Sequence, residues 1–241
     1  MEPVVRVTDL VQKVGAKKIL DGVTLEIYSG ECFGLFGLSG AGKTTFIHIL
    51  AGIDRFRSGS VEVLGFDVRK SERFKQQLGL VTQEKSLFQD LKAGENLDFL
   101  AALKNVGRAG IFGAIERFEL TDYLNQPVTA LEAGIYRRLS MACALLNAPK
   151  LLLVDEPIQS LDPQSHHIVV RELKNFLAGG GTCIWSFSSM EAYKGMEVYR
   201  RMSRVGWLEQ GRLTIFQPED AGAEWERRIE SFDGQSGEID A

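Results

Sequence analysis

Hydrophobic positions along the chain switch between two periods. VVRVTDL (4–10), VTLEIY (23–28) and SVEVLGF (60–66) alternate apolar and polar residues and are rich in β-branched types, which predicts strands. Ile19, Leu20, Asp21 and Gly22 read as turn material between the first two. CFGLF (32–36) is a short apolar run and predicts a buried strand, followed by a Gly-rich turn and a helix over KTTFIHILAG (43–52). LGLVTQ (78–83) predicts another strand. From Glu95 to Leu146 the period becomes helical. ENLDFLAALKNVG sets Leu97, Leu100, Ala101 and Leu103 on one face and closes at Gly107; GAIERFEL (113–120) and RRLSMACALL (137–146) behave alike. Strand texture returns with LLLV (151–154) and TCIWSF (182–187), apolar enough for the middle of a parallel sheet. Between them Asp162-Pro163 predicts a helix start, with Asp as N-cap and Pro in the first turn, and Gly179–Gly181 predicts its end. VGWLEQGRLTIF (205–216) predicts a hairpin turning at Gly211.

This order of elements is α/β with an all-helical insert at about 84–147. One large domain over 1–220 is expected, then a short helix and, in the polar DGQSGEIDA (233–241), a disordered tail. Hydrophobic residues at 44% and charged residues at 25% are ordinary for a globular protein, and a net charge of −4 offers no footprint for nucleic acid. The basic pairs Arg137-Arg138 and Arg200-Arg201 read as solvated. Cys32, Cys143 and Cys183 lie far apart in apolar runs and read as buried, reduced thiols. His166 and His167 are adjacent, so on a helix they point about 100° apart and do not chelate together. No apolar run reaches the ~18 residues of a membrane span, and MEPVVRVTDL has no charged segment followed by an apolar one, as a signal peptide would. A soluble chain is expected, with any membrane role exerted through a partner.

The chemistry concentrates in two places. FGLFGLSGAGKTT (33–45) contains Gly37-x-x-x-x-Gly42-Lys43-Thr44, a P-loop, between an expected strand and an expected helix. Its glycines let backbone N–H groups of Gly37, Leu38, Ser39, Gly40, Ala41 and Gly42 curl around phosphate oxygens, and the helix adds its positive dipole end. Lys43 is expected on the β- and γ-phosphates, Thr44 on Mg²⁺ and Thr45 near the α-phosphate. KLLLVDEP (150–157) ends an apolar strand in Asp155, expected to hold Mg²⁺ through water, and Glu156, expected to act as general base.

With these motifs in this order, residues 3–217 resemble the ATP-binding-cassette (ABC) ATPases. That resemblance implies a P-loop NTPase fold: a RecA-like core, an antiparallel β-subdomain and an all-helical insert. FQDLKAGENLDFLAALKNVG and LLVDEP…LDPQS are similar to the nucleotide-binding subunits of ABC-2-type exporters. The resemblance implies ATP and Mg²⁺ as ligands, and a head-to-tail dimer with a second ABC ATPase subunit, identical or not. It also implies a membrane permease partner, and so a place on the inner face of the cell membrane. Gln83 matches the Q-loop glutamine, which contacts Mg²⁺ and the attacking water, and Asp162 matches the D-loop aspartate.

LEAGIYRRL (131–139) stands where the family has LSGGQ, whose serine and backbone amides grip the γ-phosphate held by the other subunit. Leu131 and Gly134 are kept; Glu132, Ala133 and Ile135 replace Ser, Gly and Gln. Glu132 replaces a hydroxyl donor with an anion, and a hydrogen bond to a charged group is worth about 1.5–3 kcal/mol. Ser188 stands in place of the switch histidine, and Val14 in place of the aromatic residue that stacks on adenine. The leading expectation is the ATP-binding motor of an exporter, with Leu87 and Phe88 either contacts to the membrane subunit or core packing. The alternative is a nucleotide-gated assembly factor or scaffold. A nucleic-acid machine is disfavoured because it would carry long coiled-coil inserts or paired cassettes with basic linkers. A simple kinase would need neither LDPQS nor the helical insert.

Overall fold

The computed structural model describes residues 2–236 apart from 157–160 and 191–201, so Arg200-Arg201 and residues 237–241 lie outside the described residues. Its strands are β1 (Val5–Val14), β2 (Lys17–Ile27), β3 (Cys32–Phe36), β4 (Ser58–Val63), β5 (Phe66–Asp67), β6 (Leu78–Val81), β7 (Leu151–Asp155), β8 (Thr182–Phe187), β9 (Arg204–Glu209) and β10 (Arg212–Phe216). The α-helices are α1 (Lys43–Leu50), α2 (Ala93–Leu103), α3 (Arg108–Arg117), α4 (Ala133–Leu145), α5 (Pro163–Ala178) and α6 (Ala221–Ser236).

The strands form two sheets, an antiparallel one in the order β2-β1-β4-β5 and a six-stranded one in the order β10-β9-β3-β8-β7-β6. In the second, β9, β3, β8, β7 and β6 run parallel and only β10 is reversed. Parallel strands covered on both faces must be apolar throughout, and all five residues of CFGLF and of LLLVD are buried. Side-chain alternation then divides them between two cores. Phe33, Leu35, Leu151, Leu153 and Ile184 pack with α1 and the antiparallel sheet. Phe36, Leu152, Val154, Trp185 and Phe187 pack with the helical insert and α5.

Three readings of the pattern are corrected. Ile19–Gly22 is not a turn but lies inside β2; the hairpin turns at Gly15 and Ala16, where Gly15 takes φ +59. SVEVLGF is not one strand, because Leu64 and Gly65 at φ +54 and +79 fold it into the β4–β5 hairpin. Arg137-Arg138 is not solvated. Arg138 is buried, donates to the carbonyls of Phe118 and Glu119, and lies over the Tyr123 ring. Arg137 reaches from α4 to the end of β6.

Other expectations are settled locally. No strand interrupts the insert between α2 and α4. Asp162 caps α5, accepting Ser165 N–H at 2.8 Å. All three cysteines are free and buried, and burial pushes the Cys143 thiol up to about 12. Leu87 is core, its N–H donating to the Tyr136 hydroxyl, so it is not a free contact. Phe88 is 46% exposed beside the edge of Phe99, and buried Asn96 binds both polar groups of its backbone. Helix α6 runs through Ser236, further than the polar composition predicts. Trp225 anchors it edge-on against Trp207 and Phe36, and Arg228 pairs with Glu209 at 2.6 Å.

The insert and the core meet at Gly134 of α4. A Cβ there would lie 2.0 Å from Asp162 Oδ2 and 2.4 Å from Ser165 Oγ. Gly134→Ala must therefore push α4 from α5, and overpacking of this kind costs roughly 1–3 kcal/mol. Gly113 sits inside α3 with nothing within 4 Å of its Cβ position, so Gly113→Ala should stabilise by about 0.4–1 kcal/mol. Thermal unfolding should show the two midpoints moving in opposite directions.

Candidate nucleotide site

Register brings the site together. Phe36 pairs with Phe187, Asp155 with Ser186, and Val81 with Val154. The residues that leave the carboxyl ends of these four neighbouring strands are therefore Gly37, Ser188, Glu156 and Thr82, with Gln83 next after Thr82, along the edge where open α/β sheets bind ligands.

Gly37 to Gly42 form the loop from β3 to α1. Gly42 precedes the helix at φ +104, a conformation that disfavours side chains, and a Cβ on it would lie 2.8 Å from Ile19. Ser39 and Gly40 are exposed and Leu38 and Ala41 half-buried, so this backbone faces outward. Thr44 and Thr45 occupy the first turn of α1, both half-buried. Lys43 is only 5% exposed; its ammonium donates to the Gly37 and Leu38 carbonyls at 2.8 and 3.1 Å and to Glu156 Oε1 at 2.9 Å.

Glu156 is the hub. Its Oε1 holds Lys43, while its Oε2 accepts from Ser188 Oγ at 2.8 Å and, at 3.5 Å, from Gln83 Nε2. Its backbone takes φ +42, an uncommon conformation for a side-chain-bearing residue. Asp155 is fully buried; Oδ1 accepts from Ser186 Oγ at 2.6 Å, and Oδ2 has no partner. A buried carboxylate oxygen without a donor is costly. Its position beside the P-loop fits a hydrated divalent cation. Among the described residues no three His, Cys, Asp or Glu side chains form a metal cage. Mg²⁺ in phosphate sites needs none, since one or two carboxylates and the substrate phosphates suffice.

Other expected residues are distributed differently. Val14 ends β1 at 63% exposure, paired with Lys17. A cleft of about 240 Å³ borders the P-loop, lined by Lys17–Ile19, Leu38–Ala41 and residues 207–211. Of the LEAGI segment, Leu131 and Ile135 point into the core of the insert and Gly134 packs on Asp162 and Ser165. Only Glu132, at the N-cap of α4, and Ala133 are exposed.

Two site residues escaped the sequence reading. Arg137 donates to the Thr82 and Gln83 carbonyls at 2.6 and 3.3 Å, and burial lowers its guanidinium pKa. Ser186 sits between Asp155 and Glu156, accepting Glu156 N–H at 3.1 Å. Its signal was a hydroxyl in the otherwise apolar CIWSF run; Arg137 gave none, because a basic pair on a helix looks solvated.

A family model described as ABC transporter matches residues 20–159, more than half of the chain. The chain is 33% identical over 215 residues to the Nod factor export ATP-binding protein I of Ralstonia nicotianae, covering 87% of this chain and 65% of the relative. It is 33% identical over 204 residues to a linearmycin resistance ATP-binding protein of Bacillus subtilis (83% and 64%). It is 31% identical over 207 residues to a daunorubicin resistance ATP-binding protein of Streptomyces coeruleorubidus (84% and 64%). The chain thus spans a little under two thirds of these relatives' length. In fold it is similar to a solved ATP-binding subunit of an ABC transporter, with a TM-score of 0.81 at 24% identity, covering 92% of this chain and 93% of the other. A dimeric ATP-binding cassette in a post-hydrolysis state with ADP and Pi gives 0.79 at 23% identity, covering 89% and 98%. With a P-loop, a paired Asp155-Glu156 and an all-helical insert on this fold, the chain belongs to the ABC transporter family.

Proposed function

We propose that this chain binds and hydrolyses Mg-ATP as the motor subunit of an ABC exporter, working as a head-to-tail dimer against a membrane permease of the ABC-2 type. The observation that carries the reading is the Lys43–Glu156 contact at 2.9 Å, which sets the phosphate-binding ammonium and the candidate base at one point. Relatives named for Nod factor export and for linearmycin and daunorubicin resistance support export over a non-transport scaffold. Among the described residues no helix is long and apolar enough to cross a membrane. The permease would therefore supply the crossing and place this subunit on its cytoplasmic side.

A triphosphate entering the P-loop competes with Glu156 for Lys43. As Lys43 moves to phosphate oxygens, Glu156 is freed from its counter-charge and stays tethered to Ser188 and Gln83. That is the placement a general base needs to orient and deprotonate water. Thr44 and Asp155 would hold Mg²⁺, with Gln83 near it, and the ion would supply neutralisation of charge on the transferred phosphoryl group. Ser188 donates one hydrogen bond but brings no positive charge, unlike a protonated histidine. Across the dimer Glu132 and Ala133, exposed at the start of α4, would meet the partner's phosphates with an anion in place of a hydroxyl. Slow turnover follows for a homodimer, and a heterodimer would relieve only the defect in Glu132, because Ser188 acts within its own chain. Exposed Phe88 and Phe99 form an apolar surface suited to the permease.

Calorimetry with Mg-ATP should show binding by the purified chain and none in Lys43→Ala. Glu156→Gln should abolish turnover and tighten ATP about 5-fold, since Lys43 then gives up a neutral rather than a charged partner, a difference of roughly 1 kcal/mol. Unchanged or weaker binding in that variant would refute the competition. Glu132→Ser combined with Ser188→His should raise the turnover of the chain alone by about 10-fold or more, as expected for a restored hydrogen bond to a charged group. A rate equal to wild type would mean that neither residue limits it.

A further inference from the structure

In the parallel pair β7–β8, Asp155 lies directly across from Ser186. Parallel neighbours in register project their side chains to the same face. On that face the preceding residues are Leu153 and Ile184, both packed in the core that contains α1. So Ser186 stands fully buried at the last position where that core gives way to the P-loop. A hydroxyl there must satisfy its hydrogen bonds or be costly, and it does so with two neighbouring residues of one motif. It donates to Asp155 Oδ1 at 2.6 Å and accepts Glu156 N–H at 3.1 Å.

The two bonds do different work. The first occupies one carboxylate oxygen of Asp155 and so fixes the side chain with the other, partnerless Oδ2 held in one direction. The second anchors the peptide nitrogen of a residue at φ +42, where the chain leaves the strand and turns the Glu156 side chain toward Lys43. We propose that Ser186 is a positioning residue that aims Asp155 at the metal and Glu156 at the reacting phosphate with a single hydroxyl. It touches neither ATP nor metal in this role; it sets the geometry of the two groups that do. The proposal rests on reading the site as a Mg-ATP site.

The test separates the two. ATP binding to the full-length chain is measured by calorimetry with EDTA and with increasing Mg²⁺, and Mn²⁺ binding to the ATP complex by electron paramagnetic resonance, for wild type, Ser186→Ala and Ser186→Thr. Loss of an outer partner of a metal ligand typically costs about 10–100-fold in metal affinity or activity. Ser186→Ala should therefore bind ATP in EDTA within roughly 2-fold of wild type but require at least about 10-fold more Mn²⁺ or Mg²⁺. Ser186→Thr keeps the hydroxyl and should recover most of that metal affinity. The proposal is overturned if Ser186→Ala keeps the wild-type metal dependence, even with a lower melting temperature, or if Ser186→Thr is as defective toward metal as Ser186→Ala. A wild-type chain whose ATP binding ignores metal would overturn the Mg-ATP reading itself, before any variant is compared.

Discussion

The structure turns on one constraint: four parallel strands must end in register on a single edge. Phe36, Phe187, Asp155 and Val81 fall at that edge because each pair is held by its ladder, and a slip of one residue would invert every side chain beyond it. The chemistry is carried by whatever follows each strand. Lys43 and Glu156 are 113 positions apart in the chain, and both are more than nine-tenths buried, yet their charged atoms meet at 2.9 Å. Removing one partner of such a buried pair ordinarily leaves an uncompensated charge costing about 3–5 kcal/mol. A substrate anion, as proposed for this site, would offer Lys43 the alternative partner that the same electrostatic demand requires.

Alternation in the fully buried strands gives this edge two faces with distinct duties. One face of β7 and β8 carries Leu153, Ile184, Asp155 and Ser186 and looks toward α1 and the P-loop. The other carries Leu152, Val154, Trp185 and Phe187 and rests on the insert and α5. The placement of Asp155 and Ser186 and the attachment of the insert are therefore set by the same short segments. Each phenylalanine or leucine that fixes the insert also fixes the pleat that aims Asp155.

Much of this was legible in the sequence because it depends on local rules. The P-loop demands Gly42 and Lys43 between a strand and a helix, and the apolar LLLV run demands a central strand, so Asp155 and Glu156 could be placed without coordinates. The cap at Asp162 follows from Asp-Pro alone. The misreadings arose where local and tertiary signals diverge. Asp21-Gly22 looks like a turn, but Asp21 N–H pairs with the Gly211 carbonyl of a distant hairpin, and the strand continues through it. Leu64 looks like strand but sits at φ +54 because Gly65 follows it into a tight turn. Arg138 looks solvated, but carbonyls at the end of α3 and the Tyr123 ring surround it. The partners of Asp21 and Arg138 lie far along the chain, so periodicity could not find them, whereas the Leu64–Gly65 turn is local. Within LEAGI, the side chains of Leu131 and Ile135 turn into the core of the insert and Gly134 packs on Asp162 and Ser165, a division that linear order does not display.

The same long-range contacts supply the physical link between insert and core. Arg137 stands five residues beyond Glu132 on α4 and grips the carbonyls of Thr82 and Gln83, while the Gln83 side chain reaches Glu156. Any rotation of α4 that brings its exposed N-terminus toward another subunit's phosphates must carry or break that grip. Two bonds from one rigid, planar guanidinium resist shear better than a flexible ammonium would. The bond to the Thr82 carbonyl is also partly buried, which strengthens its electrostatics. Tyr136, the neighbour of Arg137, adds a second tie through Leu87 N–H, and Asn96 fixes Phe88 immediately beyond. From Glu132 to Phe88 the chain of contacts is continuous: a signature-like helix end, the half-buried Arg137, the Gln83 segment, and an exposed aromatic surface. The start of α4 is thus tied to the exposed aromatic surface through hydrogen bonds to backbone, which constrain position whatever the side chains at Thr82 or Gln83.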